Sequence, residues 1–304
     1  MSKVFIATTS FAKYDEKPVK LLEAKGLDIS YNPHGRKLTA DEIAGFISDA
    51  DYLIAGTEPL TSNVLESAGR LKIISRCGVG IDNVDIDTAT RLGIKVFNTP
   101  FGPTMAVAEL TVGLIIDLLR KITLMNGELK SGIWKKQMGN LLNGKNVGII
   151  GFGKIGREVA ALLQGFDCYL RYYDIVNESS VESTLIAERV ELNKLLSVSE
   201  IITIHISGSW NKPLIGRAEC DIIKKGAWLI NVSRGGVVDE GAIYDALNNG
   251  HLSGAALDVF EKEPYNGPLM NLSNVIMTPH VGSYAIEARI EMELQAVRNL
   301  IDGI

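Results

Sequence analysis

The chain has 304 residues, 46% of them apolar and 22% charged, and a formal net charge of −5. That length predicts two domains, each able to bury its own core, and the composition is ordinary for a soluble globular protein. The mild acidic balance argues against a nucleic-acid or anionic-membrane partner. Cys77, Cys168 and Cys220 are scattered and show no CxxC spacing, so reduced thiols are expected rather than a disulfide framework, and no zinc site.

The opening residues, MSKVFIATTSF, lack the long apolar run of a secretory signal. A β-rich run at 4–8 begins the chain; helical patterns at 18–24, 41–48 and 62–68 then alternate with extended runs at 27–31, 52–55, 71–75 and 95–97. Such alternation predicts a parallel sheet with helices on its faces. Residues 98–104 (NTPFGPT) supply proline and glycine breaks and read as a hinge. One long helix is expected from 105 to about 125, followed by a polar connection over 130–143 that holds Trp134. The most apolar stretch, 110–119, contains Asp117 and is too short to span a bilayer, so a cytoplasmic location is expected.

The stretch 146–174 is the most informative. A short apolar run at 147–150 leads into Gly151, Gly153 and Gly156 in G-x-G-x-x-G spacing, and an amphipathic helical pattern starts at Lys154. A second apolar run, 168–173, ends in Asp174. This is the order a dinucleotide-binding unit requires. Gly151 permits the tight turn, Gly153 lets backbone approach a pyrophosphate, and Gly156 lets helix pack close to strand. The helix N-terminus faces the phosphates. Asp174 at the strand tip can accept both ribose hydroxyls and would repel a 2′-phosphate, which favours NAD over NADP.

Further strands are expected at 201–206, 227–232, 255–259 and 275–278, with helices near 192–196, 217–223, 240–248 and 285–300. A complete α/β unit thus precedes the dinucleotide motif. If the last helix packs back on that first unit, the first domain is discontinuous and ligand lies in the cleft between the halves. Chemistry in open parallel sheets gathers beyond the C-terminal strand ends. Three such ends carry polar groups: Arg234 after 227–232, Glu263 in the run from Asp258, and His280 after 275–278. Together they compose a carboxylate-binding guanidinium, an imidazole acid–base and a carboxylate to orient it.

Six segments in order resemble the NAD-dependent D-2-hydroxyacid dehydrogenases: SRCGVGIDNVD, FNTPFGPTMAVAEL, LNGKNVGIIGFGKIGREVA, INVSRGGVVDEGAI, GAALDVFEKEP and TPHVG. The resemblance covers nearly the whole chain and is nearest to the D-3-phosphoglycerate dehydrogenase branch. It implies two Rossmann-like doubly wound parallel-sheet α/β domains. A discontinuous substrate-binding domain would take residues 1–99 and 283–304, an inserted NAD domain 100–282, and the assembly would be a homodimer. It further implies that Arg234, Glu263 and His280 are catalytic, with Arg76, Val79 and Gly80 joining Arg234 and His280 on the substrate. The cofactor set becomes Gly151, Gly153, Lys154, Ile155, Gly156, Asp174, His205, Ser233, Asp258 and Gly282. Glu263 stands where formate-oxidising relatives carry glutamine, which argues for a 2-hydroxy acid or 2-oxo acid as substrate.

Several departures bear on which acid. Gly56 stands where phosphoglycerate dehydrogenases commonly carry an arginine, and the N-x-P-x-x-N-x-x-S pattern of many relatives loses an amide and a hydroxyl at Pro103 and Ala106. His205 opens H-I-S where H-x-P is frequent. Lys135 or Lys136 could reach in from a partner subunit, and Trp134, Phe101 or Trp210 could wall the site; His34 and His251 read as surface residues. Since the chain stops at Ile304, no C-terminal regulatory domain and no serine feedback are expected. The alternatives are a hydroxypyruvate/glyoxylate reductase or another D-2-hydroxyacid dehydrogenase and, more distantly, an NAD(H)-sensing corepressor-like binding protein.

Overall fold

The computed structural model describes residues 1–176, 185–208 and 212–304; Trp210 lies outside the described residues. The chain divides into two compact units, Met1–Pro103 with Ser283–Ile304, and Thr104–Gly282.

In the first unit, β1 (Lys3–Ile6), β2 (Asp28–Tyr31), β3 (Tyr52–Ala55), β4 (Ile73–Arg76) and β5 (Lys95–Phe97) form a parallel sheet in the order β2-β1-β3-β4-β5. Strands covered on both faces read as continuous apolar runs. Every residue of β3, YLIA, is buried, whereas β2 at the edge has none buried. The connecting helices are α1 (Lys17–Ala24), α2 (Ala40–Ile47), α3 (Ser62–Ser67) and α4 (Ile86–Arg91). The start of α2 is set by a capping box between Thr39 and Glu42. No pattern announced α4, because its six residues, IDTATR, carry no apolar stripe; it starts where Asp85 accepts the Thr88 N–H at 2.9 Å.

The single helix expected over 105–125 is two helices, α5 (Pro103–Arg120) and α6 (Ile122–Lys130). Between them Lys121 adopts φ +56°. The carboxylate of Asp117 accepts the Thr123 N–H at 2.8 Å and the Thr123 hydroxyl at 2.5 Å, and so replaces the carbonyl that a continuous helix would have offered. Apolar periodicity continues across the break, which is why it was invisible in the pattern.

The second unit carries β6 (Asn146–Ile150), β7 (Tyr169–Tyr173), β8 (Ala187–Arg189), β9 (Ile201–Ile204), β10 (Ala227–Asn231), β11 (Leu252–Leu257) and β12 (Val275–Met277). They form a parallel sheet in the order β12-β11-β10-β9-β6-β7-β8, flanked by α7 (Lys154–Gln164), α8 (Leu192–Val198), α9 (Arg217–Ile222) and α10 (Glu240–Asn248). The order reverses between β6 and β9, the arrangement that opens a crevice at the strand ends. Unexpected β8 is a three-residue edge strand, AER, none of it buried. His34 is exposed, as expected, but His251 is half-buried and its Nε2 lies 2.8 Å from the Ile223 carbonyl, which corrects the surface reading.

The last helix, α11 (Ile286–Gly303), belongs to the first unit. Its Met292, Ala296, Val297 and Leu300 join Val4, Ile6, Leu22, Ile54 and Ile73 in one buried cluster, and the Ser75 hydroxyl donates to the Ala296 carbonyl at 2.8 Å. The first unit is therefore built from both ends of the chain. Among the described residues no helix is long and apolar enough to cross a membrane. Leu300 is fully buried, so Leu300→Ala should cost about 2–5 kcal/mol in denaturant unfolding; a loss below about 1 kcal/mol would contradict this packing.

Candidate active site

The glycine-rich turn lies at the end of β6. Gly151 has φ +90°, and a Cβ there would lie 2.6 Å from the His205 carbonyl oxygen. A Cβ on Gly156 would lie 2.1 Å from the Gly151 carbonyl oxygen, so helix and strand approach as closely as backbone allows. Gly153 differs from both: its φ is an ordinary −72°, and nothing stands within 4 Å of its Cβ position. Among the described residues nothing requires glycine there, and the space in front of it is open. No side chain caps α7 at Gly153, and the first N–H groups of a helix have no intrahelical acceptor, so this end suits a pyrophosphate. Lys154, Ile155 and Gly156 form its first turn.

Asp174 follows β7, where its carboxylate accepts the Phe152 N–H at 2.6 Å and the Val176 N–H at 2.9 Å. A cleft of about 340 Å³ runs past Gly151, Gly153, Asp174, Val176, His205 and Leu214. Ile175 and Val176 are 76% and 58% exposed and give the cleft an apolar flank suited to a planar ring. Sequence reasoning passed over that pair; the signal was two β-branched residues directly after a strand-end acid. The His205 ring meets the Thr203 hydroxyl at 2.9 Å through Nε2, while its Nδ1 is buried without a partner. Burial pushes the His205 pKa down to about 3, so the ring is neutral. The cradle at Gly153, the uncapped helix, the strand-end acid and the unfilled ring nitrogen all fit NAD.

The loops that carry Arg234, Glu263 and His280 follow the adjacent strands β10, β11 and β12. After β10, the Asn231 amide oxygen accepts the Ser233 N–H at 3.0 Å and its hydroxyl at 2.7 Å, while the amide nitrogen donates to the Arg234 carbonyl at 3.0 Å. Asn231 thus shapes the turn that presents Arg234, a role the motif contained but did not announce. Arg234 Nη1 donates to the Ser233 carbonyl at 2.8 Å. A Cβ on Gly235 would fall 1.9 Å from the Phe260 carbonyl oxygen, so this loop lies directly on the backbone that follows β11. There Glu263 accepts the Phe260 N–H at 3.1 Å through one oxygen and meets His280 Nδ1 at 2.9 Å through the other.

His280 has φ +54° and a side chain that is 48% exposed. Its backbone is held by Asp258, which is fully buried and accepts from the Thr278 hydroxyl at 2.5 Å, the Val281 N–H at 2.8 Å and the Gly282 N–H at 2.8 Å. Asp258, Ser233 and Gly282 were expected on the cofactor; here the Asp258 carboxylate, the Ser233 hydroxyl and the Gly282 N–H are engaged in bracing these loops.

In the first unit, Arg76 Nη1 donates to the Cys77 carbonyl at 3.1 Å and the guanidinium folds over Gly78. The Gly78 N–H donates to the Thr99 hydroxyl at 2.7 Å and the Asn98 amide to the Val79 carbonyl at 2.7 Å, which pins the turn leading into Gly80. The Gly56 N–H donates to Glu58 at 2.7 Å. Trp134 is 81% exposed and Phe101 64%.

Residues 112–282 match the family model described as D-isomer specific 2-hydroxyacid dehydrogenase, NAD binding domain. A glyoxylate reductase of Thermococcus litoralis is 40% identical over 267 residues, 84% of this chain and 81% of that protein. The chain belongs to the D-isomer specific 2-hydroxyacid dehydrogenase family. A D-3-phosphoglycerate dehydrogenase of Methanocaldococcus jannaschii is 39% identical over 282 residues, 90% of this chain but 53% of that protein. The chain thus spans about half the length of the curated phosphoglycerate dehydrogenases it matches. Over 99% of its length it also superimposes on 96% of a solved protein of Thermus thermophilus, with a TM-score of 0.90 at 30% identity. The two parallel α/β sheets are those of this dehydrogenase family, and the second unit carries its NAD-binding domain.

Two results are expected from this geometry. Gly153→Ala should fold as the parent does yet weaken NADH binding roughly tenfold or more in a fluorescence titration, whereas Gly156→Ala should lose stability as well; unchanged affinity in Gly153→Ala would remove the cradle. The neutral His205 has a folded pKa of about 3 against an ordinary 6.5. Stability should therefore fall as pH drops from 6.5 toward 3, because only the unfolded chain takes up that proton. His205→Asn should lose this part of the acid sensitivity, and an unchanged pH profile would place the ring in water.

Proposed function

We propose that this chain is an NAD-dependent D-2-hydroxyacid dehydrogenase, of the D-3-phosphoglycerate dehydrogenase type, interconverting a small D-2-hydroxy acid and its 2-oxo acid. The observation that carries the reading is the 2.9 Å contact between His280 Nδ1 and Glu263 at the end of the NAD-binding sheet. Bound NAD supplies the hydride acceptor, or as NADH the donor. Arg234 pairs with the substrate carboxylate and fixes the carbon that reacts. His280 Nε2 takes the hydroxyl proton during oxidation and returns it during reduction. Glu263 keeps the proton of the other ring nitrogen and offsets the charge of the imidazolium. The first unit serves as the substrate-binding domain, with the Val79 and Gly80 backbone on the carboxylate and Arg76 beside it.

The hydroxypyruvate/glyoxylate reductase reading gains support from Gly56. In place of an arginine, Glu58 closes over that strand end, its Oε1 3.0 Å from where a Cβ on Gly56 would sit. A homodimer accords with the exposed apolar side chains along 122–141: Ile122 at 50%, Leu129 at 53%, Ile133 at 52%, Trp134 at 81%, Met138 at 90% and Leu141 at 70%. A cytoplasmic setting accords with three free thiols.

His280→Ala should lower turnover by roughly 10²–10⁴ with NADH binding kept; near-normal turnover would remove His280 from the mechanism. Sedimentation should give a dimer that Met138→Lys with Leu141→Lys dissociates. A monomeric parent, or a dimer indifferent to both lysines, would contradict that face.

A further inference from the structure

The sheet of the second unit also has N-terminal strand ends, and a recess of about 190 Å³ lies there, lined by Asn140, Lys145, Glu200, Lys224, Lys225 and Trp228. Lys145 immediately precedes β6, Glu200 precedes β9, and Lys224 and Lys225 stand in the turn before β10. Gly151, His205 and Arg234 follow those same three strands, so the recess and the cleft at Gly153 and Asp174 lie at opposite ends of the sheet. Pockets for drug-sized ligands run to about 300–1,000 Å³, so this smaller recess suits an ion or a very small molecule.

The charges around it do not cancel. Glu200 is the only carboxylate that lines it among the described residues, and it is already engaged. Its Oε1 meets Lys145 Nζ at 2.7 Å, and its Oε2 accepts the Asn146 N–H at 3.1 Å and the Asn146 amide at 3.3 Å. Burial opposes ionisation, yet these donors hold its carboxyl down at about 2, so Glu200 is charged and paired with Lys145. Among the described residues neither Lys224 nor Lys225 pairs with a carboxylate. Two neighbouring ammonium groups repel each other, and an oxyanion held by both would replace that repulsion with attraction.

Both lysines sit on a fixed backbone. Gly226, at φ +84°, lets the chain turn so that the Ala227 N–H donates to the Lys224 carbonyl at 3.0 Å. The Lys224 N–H donates to the Leu196 carbonyl at 3.0 Å, the Gly226 N–H to the His251 carbonyl at 2.7 Å and the Trp228 N–H to the Glu200 carbonyl at 2.9 Å. The Asn140 N–H donates to the Leu119 carbonyl at 2.9 Å. The lining segments are thus tied to neighbouring elements before any ligand arrives, which lowers the ordering cost of binding.

We propose that this recess binds a small dianion of the phosphate class, with the Lys224 and Lys225 ammonium groups as its counter-charges and the Asn140 amide as a neutral donor. Lysine acts on phosphate as a point charge, and two lysines match a dianion better than a monocarboxylate. The site is separate from the chemistry at the other strand ends and does not rest on the dehydrogenase reading.

The test is calorimetric titration of inorganic phosphate into NADH-saturated protein at constant ionic strength, with acetate as the comparison anion. NADH keeps phosphate out of the cleft at Gly153. The parent should bind a single phosphate per chain, roughly tenfold or more tightly than acetate. Lys224→Gln with Lys225→Gln should weaken phosphate binding roughly tenfold or more. Both side chains are exposed, and an unchanged NADH affinity reports that this variant is folded. Lys25→Gln with Lys37→Gln, the same loss of charge on the first unit, should leave phosphate binding within about twofold. No saturable phosphate binding by the parent, acetate bound as tightly as phosphate, or phosphate binding that survives the loss of Lys224 and Lys225 would each overturn the site. An equal loss in the first-unit variant would overturn it too.

Discussion

The carboxylate of Asp258 is the constraint on which the loop that follows β12 depends. It is fully buried, and a buried carboxylate is tolerated only where donors surround it. Among the described residues, its three hydrogen-bond donors come from one short loop: the Thr278 hydroxyl and the Val281 and Gly282 N–H groups. That loop must therefore close around the carboxylate, and His280 sits within it at a positive φ that a non-glycine residue adopts only when its surroundings impose it. The imidazole is then aimed at Glu263 by backbone geometry rather than by packing of its own ring, which is half exposed. Removing the carboxylate would release His280 without touching it.

Adjacency of strands explains why three segments distant in sequence lie side by side. Arg234, Glu263 and His280 follow β10, β11 and β12, which are neighbours in the sheet. The loops are then fitted to one another at single points, Gly235 against the Phe260 carbonyl and Glu263 against His280. On the other side of the same sheet, the reversal between β6 and β9 leaves room for the cleft at Gly153 and Asp174. One sheet thus carries both the cleft at Gly153 and Asp174 and the loops of Arg234, Glu263 and His280, with rigid strands setting their spacing.

Much of this was legible before any coordinates. Strands covered on both faces, such as β3 and β9, announce themselves as apolar runs, and the glycine spacing marked the turn from β6 into α7. What escaped has physical reasons. The break at Lys121 depends on an Asp117 side chain bonding six residues ahead, which periodicity does not register. An edge strand such as β8 and a short polar helix such as α4 owe their form to neighbours and a cap, not to a pattern of their own. The bracing of the loops by Asn231 and Asp258 was also hidden, because polar residues inside a motif look alike whether they meet a ligand or a neighbouring loop. The hydrogen bond between Arg289 and Ser10 joins residues 279 positions apart, which only the return of α11 brings together.

If a loop locked by Asp258 presents His280 to Glu263, the imidazole must hold one tautomer. Long-range ¹H–¹⁵N correlation of the histidine rings, with His280 assigned by substitution, reads this directly. The neutral ring should carry its proton on Nδ1, toward Glu263, leave Nε2 bare for proton exchange, and lose that preference in Glu263→Gln. A proton on Nε2, or a tautomer indifferent to the loss of Glu263, would contradict the account.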